Sequence, residues 1–143
     1  MTPVVIDTNV VVSANLVDEG PSAAIFQMAV NQKLIQMCIS PAVLAEYEEV
    51  LRRPRLKLTP ARIAGALTLI RSAARMIHPT GTLKISGHDS DNRFYECAEA
   101  AAAAYLITGN TKDFTRDHGP TKIITPRDFL DHVVPQLLKT EQF

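Results

Sequence analysis

Four acidic residues from distant parts of the chain stand after a predicted strand or near the start of a predicted helix: Asp7, Glu46, Asp91 and Asp113. Carboxylates that lie close together raise one another's pKa unless a cation neutralises them. Oxygen ligands without cysteine, and without a compelling set of histidines, are typical of Mg²⁺ or Mn²⁺ sites. Two such ions about 4 Å apart can activate a water molecule and stabilise the leaving oxygen in phosphodiester cleavage. These residue types therefore point to metal-assisted hydrolysis, provided that the fold brings the acids together.

Short apolar runs alternate along the chain with longer segments of helical periodicity. The apolar runs predict strands at residues 3–6, 34–39, 76–78, 105–108 and 122–125. The periodic segments predict helices at 21–32, from 41 to before Pro54, at 60–74 and 90–104, and from 126 through 133. Three of these helices begin with Ser or Thr followed by Pro, a favoured pair of start residues. The alternation predicts an α/β fold with a largely parallel sheet.

Such a fold would place the four acids at one edge of the sheet. Asp7 directly follows the first predicted strand, and Asp113 comes shortly after the fourth. Glu46 and Asp91 lie near the starts of helices that begin at the same edge, where the strands end. Ligands of open α/β sheets bind at this carboxyl edge. We expect the neutral neighbours of the acids to contact the metal ligands or the substrate: Thr8, Asn9, Thr108 and Asn110.

Each acid also has an ordinary structural interpretation. Asp91 could cap a helix and interact with its dipole, and Glu46 could be a solvated helix residue beside two further glutamates. Asp113 could form a turn with its own backbone. Asp7 is the hardest to explain in this way, because an acid directly after a buried strand loses hydration unless it has a partner. The four acids together are therefore stronger evidence for a metal site than any one of them alone.

The composition predicts one soluble domain that spans residues 1–143. Hydrophobic residues make up 46% of the 143-residue chain, which is enough for a core. Fifteen basic and fifteen acidic residues give zero net charge, which argues against non-specific coating of nucleic acid or membrane. Two cysteines cannot make a disulfide framework or a cysteine zinc site, and no apolar stretch reaches the roughly 18 residues of a membrane span. Because the N-terminus carries no secretory signal, we expect a cytoplasmic protein.

Four segments of the sequence resemble the motifs of PIN-domain ribonucleases. Residues 5–14 (VIDTNVVVSA) are similar to the opening motif of that family, and residues 40–51 are similar to its second motif. Residues 89–98 resemble the third motif, and residues 106–114 resemble the fourth. The order and spacing of the motifs cover the chain from Val4 to about Leu130. The resemblance is greatest to the bacterial branch that contains the toxins of toxin–antitoxin systems, the VapC-like proteins.

The resemblance implies a Mg²⁺- or Mn²⁺-dependent endoribonuclease that leaves a 5′-phosphate and a 3′-hydroxyl. It implies a three-layer α/β/α fold around a central, mainly parallel five-stranded sheet in the order 3-2-1-4-5. The four acids become the catalytic, metal-binding residues: Asp7, Glu46, Asp91 and Asp113. An RNA substrate, a cognate antitoxin and a homodimer are the implied partners. One departure is Asn110, where many relatives have Asp, so we expect the second metal site to be weak or filled only with substrate.

The sequence offers two groups of basic residues for contact with the RNA backbone. The densest run extends from Arg52 to Lys57. By the start of this run, the predicted helix has already moved away from Glu46 and the acidic edge. The C-terminus of a helix also favours basic residues for its own stability. We therefore expect Arg93, Lys112 and Arg116 to contact the RNA backbone instead.

Two other functions are compatible with parts of the pattern. Phosphatases of the haloacid-dehalogenase type also have an Asp after their first strand, but they need a second Asp two residues later, where this chain has Asn9. A catalytically degenerate PIN scaffold would bind RNA or a protein partner without cleaving. Asn110 slightly favours the degenerate scaffold, whereas the four intact acids argue against it.

Overall fold

A five-stranded sheet lies at the centre of the computed structural model, which describes residues 1–141. Its strands are β1 (Thr2–Ile6), β2 (Ile35–Ile39), β3 (Arg75–Met76), β4 (Tyr105–Ile107) and β5 (Lys122–Ile124). They lie in the order β3-β2-β1-β4-β5, and each neighbouring pair of these strands is parallel. The predicted parallel sheet and its strand order are therefore confirmed.

Helices connect β1 to β2, β2 to β3 and β3 to β4, a loop connects β4 to β5, and further helices follow β5. The connecting helices are α1 (Thr8–Leu16), α2 (Pro21–Val30), α3 (Pro41–Leu51), α4 (Pro60–Ala73) and α5 (Asp89–Ala101). After β5 the chain forms α6 (Pro126–Asp128), a π-helical segment (Phe129–Val133) and α7 (Val134–Glu141). Within residues 1–141, no helix combines the length and the apolar character that a membrane crossing requires.

The sheet is covered on both faces. Val4, Val5 and Ile6 are all fully buried, although successive side chains of a strand point to opposite faces. Helix α2 packs against β2, and α5 packs across β1, β2 and β4. Helices on both faces and the sheet between them make the three layers that the family resemblance implies.

Helix α1 is the largest difference from the predicted elements, since no helix was predicted between the first strand and residue 21. Three consecutive valines at 10–12 favour extended backbone by propensity. Asp7 overrides this preference because its carboxylate accepts a hydrogen bond from Thr8 N at 2.8 Å and caps the helix. The chain therefore turns at Asp7, and Val10 and Val11 are buried in the core.

The other differences are shifts of element ends. The third strand was predicted at 76–78, but it lies at Arg75–Met76. The helix predicted to reach residue 104 ends at Ala101, because Ala102 adopts a left-handed conformation with φ of +50°. These shifts leave the four predicted acids at or near the carboxyl edge of the sheet.

Candidate active site

Asp7 lies where β1 ends and α1 begins, and it is only 6% exposed. Its Oδ1 accepts a hydrogen bond from Thr8 N at 2.8 Å, and its Oδ2 accepts from Asn9 Nδ2 at 2.8 Å and from Thr108 Oγ1 at 2.7 Å. Burial raises the pKa of Asp7 to about 6, although two of these hydrogen bonds lower it, and two nearby carboxylates raise it further. The donors are all neutral, so they orient the carboxylate without balancing its charge.

Glu46 and Asp91 approach the end of β1 from two different helices. Glu46, in α3, accepts a hydrogen bond from Thr8 Oγ1, and Asp91, in the first turn of α5, accepts one from Ser86 Oγ at 3.2 Å. Burial is the largest cause that raises the pKa of both carboxyl groups, and these hydrogen bonds partly offset it. The charge of Asp91 also raises the pKa of Glu46, and that of Asp113 raises the pKa of Asp91. Electrostatic repulsion thus links acids from four distant parts of the chain.

Three of the four predicted acids line one open depression of about 450 Å³: Asp7, Glu46 and Asp91. Three of the neutral neighbours line it as well: Thr8, Asn9 and Asn110. Asp113 lines a neighbouring depression with Ser86, His88 and Lys112. Its carboxylate accepts a hydrogen bond from Asn110 Nδ2 at 2.7 Å. The fourth acid is therefore connected to the other three through Asn110 rather than through a shared depression.

The carboxylate oxygen atoms that line the depression are suitable ligands for a hard divalent cation. Carboxylate oxygens are the ligands that Mg²⁺ and Mn²⁺ prefer, and carboxyl groups with a raised pKa are stabilised as anions by a nearby positive charge. In the conformation described, no three His, Cys, Asp or Glu side chains of residues 1–141 are arranged closely enough to hold a metal ion. The carboxylates of Asp7, Glu46 and Asp91 face hydroxyl, amide or backbone N–H donors. A cation would therefore compete with neutral hydrogen-bond donors.

Neutral side chains join the ends of β1 and β4 beneath the depression. Asn9 donates to Asp7 through Nδ2 and accepts from Gly109 N at 3.1 Å through Oδ1. Thr108 donates to Asp7 and accepts from Asn110 N at 2.9 Å. The predicted positions of these side chains beside the acids are thus observed, and their hydrogen bonds hold the Asp7 carboxylate in one orientation.

Tyr47 lies within the second motif but was not predicted to belong to the site, and it supports the site from behind. It follows Glu46 in α3 and is fully buried, and its hydroxyl donates a hydrogen bond to the backbone carbonyl of Ile6. Because Ile6 immediately precedes Asp7, this bond fixes the end of β1 against α3. A tyrosine on the apolar face of a predicted helix is the signal, since a buried tyrosine hydroxyl needs a partner.

The expectation that the start of the Arg52–Lys57 run lies away from the acids is wrong for Arg53, whereas Arg52 does not line the depression. Arg53 and Arg55 line the same depression as the acids. Glu46, Val50 and Arg53 are separated by four and three residues, which places them along one side of a helical path. Helix α3 ends at Leu51, and the 3₁₀ turn at Pro54–Leu56 then keeps the chain beside the depression. The spacing of three and four residues was the signal for this placement.

The three basic residues predicted to contact RNA lie elsewhere around the site. Arg93 forms an ion pair with Glu96 at 2.7 Å, and Arg116 donates to the backbone carbonyl of Ile85 at 2.7 Å. Lys112 lines the neighbouring depression that contains Asp113. Two of these cations therefore have partners within the protein, and contact of all three with RNA stays a prediction.

Residues 3–112 match the sequence model of the PIN domain. The chain belongs to the PIN domain family. The match includes Asp7, Glu46 and Asp91 and ends one residue before Asp113. It spans the sheet from β1 to β4 and the helices between these strands.

Two similar proteins extend the comparison of this PIN domain beyond the matched region. It is 29% identical over 141 residues to an uncharacterized protein of Methanocaldococcus jannaschii, and the alignment covers 90% of this chain and 89% of that protein. Its structure is similar to a chain in the crystal structure of VapBC2 from Rickettsia felis bound to a DNA fragment from their promoter. The TM-score is 0.59 at 18% identity, and the match covers 87% of this chain and 98% of the Rickettsia felis chain. At that identity the similarity concerns the fold.

Proposed function

We propose that this PIN domain is a metal-dependent endoribonuclease that hydrolyses RNA phosphodiester bonds with a metal-activated water. The observation that carries the proposal is the buried Asp7 carboxylate, which shares an open depression with Glu46 and Asp91. Burial, and repulsion from neighbouring carboxylates, raise the pKa of all three carboxyl groups, and a divalent cation would neutralise them. Membership of a family of nucleases supports the same reaction.

Each acid has a distinct role in the proposed reaction. Asp7 and Asp91 would hold the principal ion, Glu46 would complete or orient its ligand shell, and Asp113 would support this ion or a second one. When bound, Mg²⁺ or Mn²⁺ lowers the pKa of a water molecule and stabilises charge on the phosphate and the leaving oxygen. Thr108 and Asn9 keep the Asp7 carboxylate oriented by hydrogen bonds of 2.7 and 2.8 Å.

Asn110 is a neutral residue beside Asp113, at a position where many family members have an acid. Its Nδ2 donates to Asp113 at 2.7 Å, and its backbone N–H donates to Thr108 Oγ1 at 2.9 Å. Asn110 therefore orients Asp113 without adding negative charge. A second ion near Asp113 would consequently bind more weakly than the principal one.

Cleavage of a mixed-sequence RNA pool by the purified protein tests the proposed reaction. We expect cleavage with Mg²⁺ or Mn²⁺, none with a chelator, and at least about a hundredfold loss of rate in Asp91→Asn. Asp89→Asn is the matched control, because Asp89 also lies in the first turn of α5 but is exposed and does not line the depression. Equal rates in the Asp91→Asn variant and the wild-type protein would refute the assignment.

We further propose that the nuclease is the toxin of a toxin–antitoxin pair in the cytoplasm, with a cognate antitoxin and a homodimeric state. The sequence resemblance to VapC-like proteins and the fold similarity to a chain of a VapBC2 complex support this role. Co-expression with the product of an adjacent gene tests it. We expect that product to co-purify with the nuclease and to inhibit cleavage. If no adjacent gene product binds or inhibits, the toxin role falls while the nuclease assignment is unaffected.

Asn110 supports one alternative, a catalytically degenerate scaffold that binds RNA or a protein. The scaffold predicts RNA binding without cleavage in Mn²⁺ and no calorimetric signal for metal binding. Metal binding that is lost in Asp91→Asn but retained in Asp89→Asn would exclude it. The two functions therefore differ in a measurement that needs no knowledge of the natural RNA target.

A further inference from the structure

The depression that contains the acids has a second wall of different chemistry. Arg53 and Arg55 lie on it, together with the apolar side chains Val12, Leu16, Val17 and Val50. Leu16 is 46% exposed and Val17 is 54% exposed, so these side chains present apolar surface to solvent beside two guanidinium groups. Metal-binding acids do not require such a wall.

We propose that Arg53, Arg55 and the apolar end of α1 form a subsite for the unpaired nucleotide next to the cleaved phosphodiester bond. Arg53 and Arg55 bind its phosphate, and Leu16 and Val17 contact its base. This proposal rests on the proposed nuclease function, since it assigns the substrate class and the flanking contacts of the same depression.

Electrostatics require local cations at this place. The chain has no net charge, so it does not attract a polyanion as a whole. The acids of the depression repel an RNA backbone wherever a metal ion does not bridge it. A guanidinium beside the acids binds the next phosphate through two parallel hydrogen bonds and offsets this repulsion.

Both arginines are available for such a contact. Arg53 forms an ion pair with Glu49 at 3.0 Å, and both side chains are largely exposed. Exposed pairs contribute little to stability, so a phosphate can replace Glu49. Arg55 forms no side-chain hydrogen bond or ion pair with another residue in the described part of the chain, 1–141. Arg52, by contrast, pairs with Glu48 and does not line the depression.

The apolar wall distinguishes an unpaired nucleotide from a duplex. A double helix exposes its phosphates but stacks its bases inside, where the side chains of a shallow depression cannot reach their faces. An unpaired base can turn away from its neighbours and bury a face against apolar side chains. A cationic group and an apolar surface side by side therefore match one single-stranded nucleotide.

Binding measured without turnover tests the subsite. In the Asp91→Asn background with Mg²⁺, fluorescence anisotropy would follow labelled 12-nucleotide single strands of uridine or adenosine and an RNA duplex of equal length. We expect tighter binding of a single strand, and about a tenfold loss of affinity for each of Arg53→Ala and Arg55→Ala. The slope of log affinity against log salt should fall in magnitude by about 0.7 for each arginine removed.

Matched variants distinguish a specific phosphate contact from a general effect of positive charge. Arg52→Ala removes the same charge from the same run and should leave affinity and salt slope nearly unchanged. Glu49→Gln should strengthen binding by about two- to threefold by releasing Arg53, whereas Glu48→Gln should not. Equal losses in Arg52→Ala and Arg53→Ala, or no loss in either, would overturn the phosphate contact.

The apolar contact has its own readout. Leu16→Ser should weaken single-strand binding without a change in salt slope, whereas Leu69→Ser should have no effect, because Leu69 is equally exposed but lies on α4. Unchanged binding in Leu16→Ser would overturn the base contact and assign this wall to a protein partner. If these binding predictions fail while the wild-type protein cleaves RNA and Asp91→Asn does not, the subsite is rejected and the nuclease function stands. Absence of metal-dependent cleavage would reject the nuclease itself.

Discussion

Among the four acids of the site, Asp7 has the environment least favourable to a carboxylate anion. It is nearly fully buried, and the hydrogen bonds that it accepts come from neutral donors. Its pKa rises from 3.8 to about 6, chiefly because burial disfavours the anion. Carboxyl groups with strongly raised pKa values are concentrated at functional sites. A divalent cation bound beside Asp7 would stabilise its anion.

The shift predicts how the stability of the metal-free protein depends on pH. Because the folded-state pKa is raised, folding is favoured by protonated Asp7, and this contribution is lost as pH rises from 3.8 through about 6. The shift corresponds to about 3 kcal/mol of unfolding free energy. Relative to wild type, Asp7→Asn should therefore become more stable between pH 4 and pH 7 when denaturation is followed in a chelator.

The exposed Asp89→Asn variant controls for the general effect of removing a carboxylate at the same edge. Its stability difference from wild type should change much less over this pH range. A difference between Asp7→Asn and wild type that stays constant from pH 4 to pH 7 would contradict the burial argument.

The strand ends are the elements that hold the site together. Asn9 bridges Asp7 and Gly109, and thereby joins the end of β1 to the end of β4. We expect Asn9→Ala to lower metal affinity by about ten- to a hundredfold, as removal of groups that orient metal ligands does elsewhere. Calorimetric titration with Mn²⁺ measures it, and unchanged affinity would show that the bridge does not position Asp7.

Helix α3 contributes to the same arrangement through Tyr47. Its buried hydroxyl donates to the carbonyl of Ile6. Tyr47→Phe leaves that carbonyl without its donor and should lower the free energy of unfolding by about 1–2 kcal/mol in urea denaturation. Tyr105→Phe is the control, since no hydrogen bond of its hydroxyl is found within residues 1–141. Equal stability of Tyr47→Phe and wild type would show that the contact contributes little.

The elements also show which features local sequence could predict. The strands and the shared edge of the acids were predictable from apolar runs and helix start signals, which are local, whereas the strand order was implied by the family resemblance. Helix α1 was missed because its valines favour a strand until Asp7 caps the helix. Asp113 lies in a separate depression because long-range hydrogen bonds shape its loop, from Arg116 to Ile85 and from Tyr95 to Arg116. No local pattern reveals such bonds.

Binding of a divalent cation by the acids should stabilise the fold as a whole. A ligand that binds only the folded state stabilises it by about 2.7 kcal/mol at a hundred times its dissociation constant. We therefore expect Mn²⁺ to raise the melting temperature by several degrees at pH 7. Asp91→Asn should abolish most of this rise, and Asp89→Asn should retain it. Equal shifts in both variants would locate the bound ion away from the depression.

We propose that Asp7 serves metal-dependent cleavage rather than the stability of the fold. The most direct test measures the single-turnover RNA cleavage rate of wild type and Asp7→Asn in Mn²⁺ at pH 7, beside their unfolding free energies in chelator. We expect Asp7→Asn to be at least as stable as wild type and to cleave at least about a hundredfold more slowly. A folded Asp7→Asn variant that cleaves RNA at the wild-type rate would refute the assignment of Asp7 to the catalytic site.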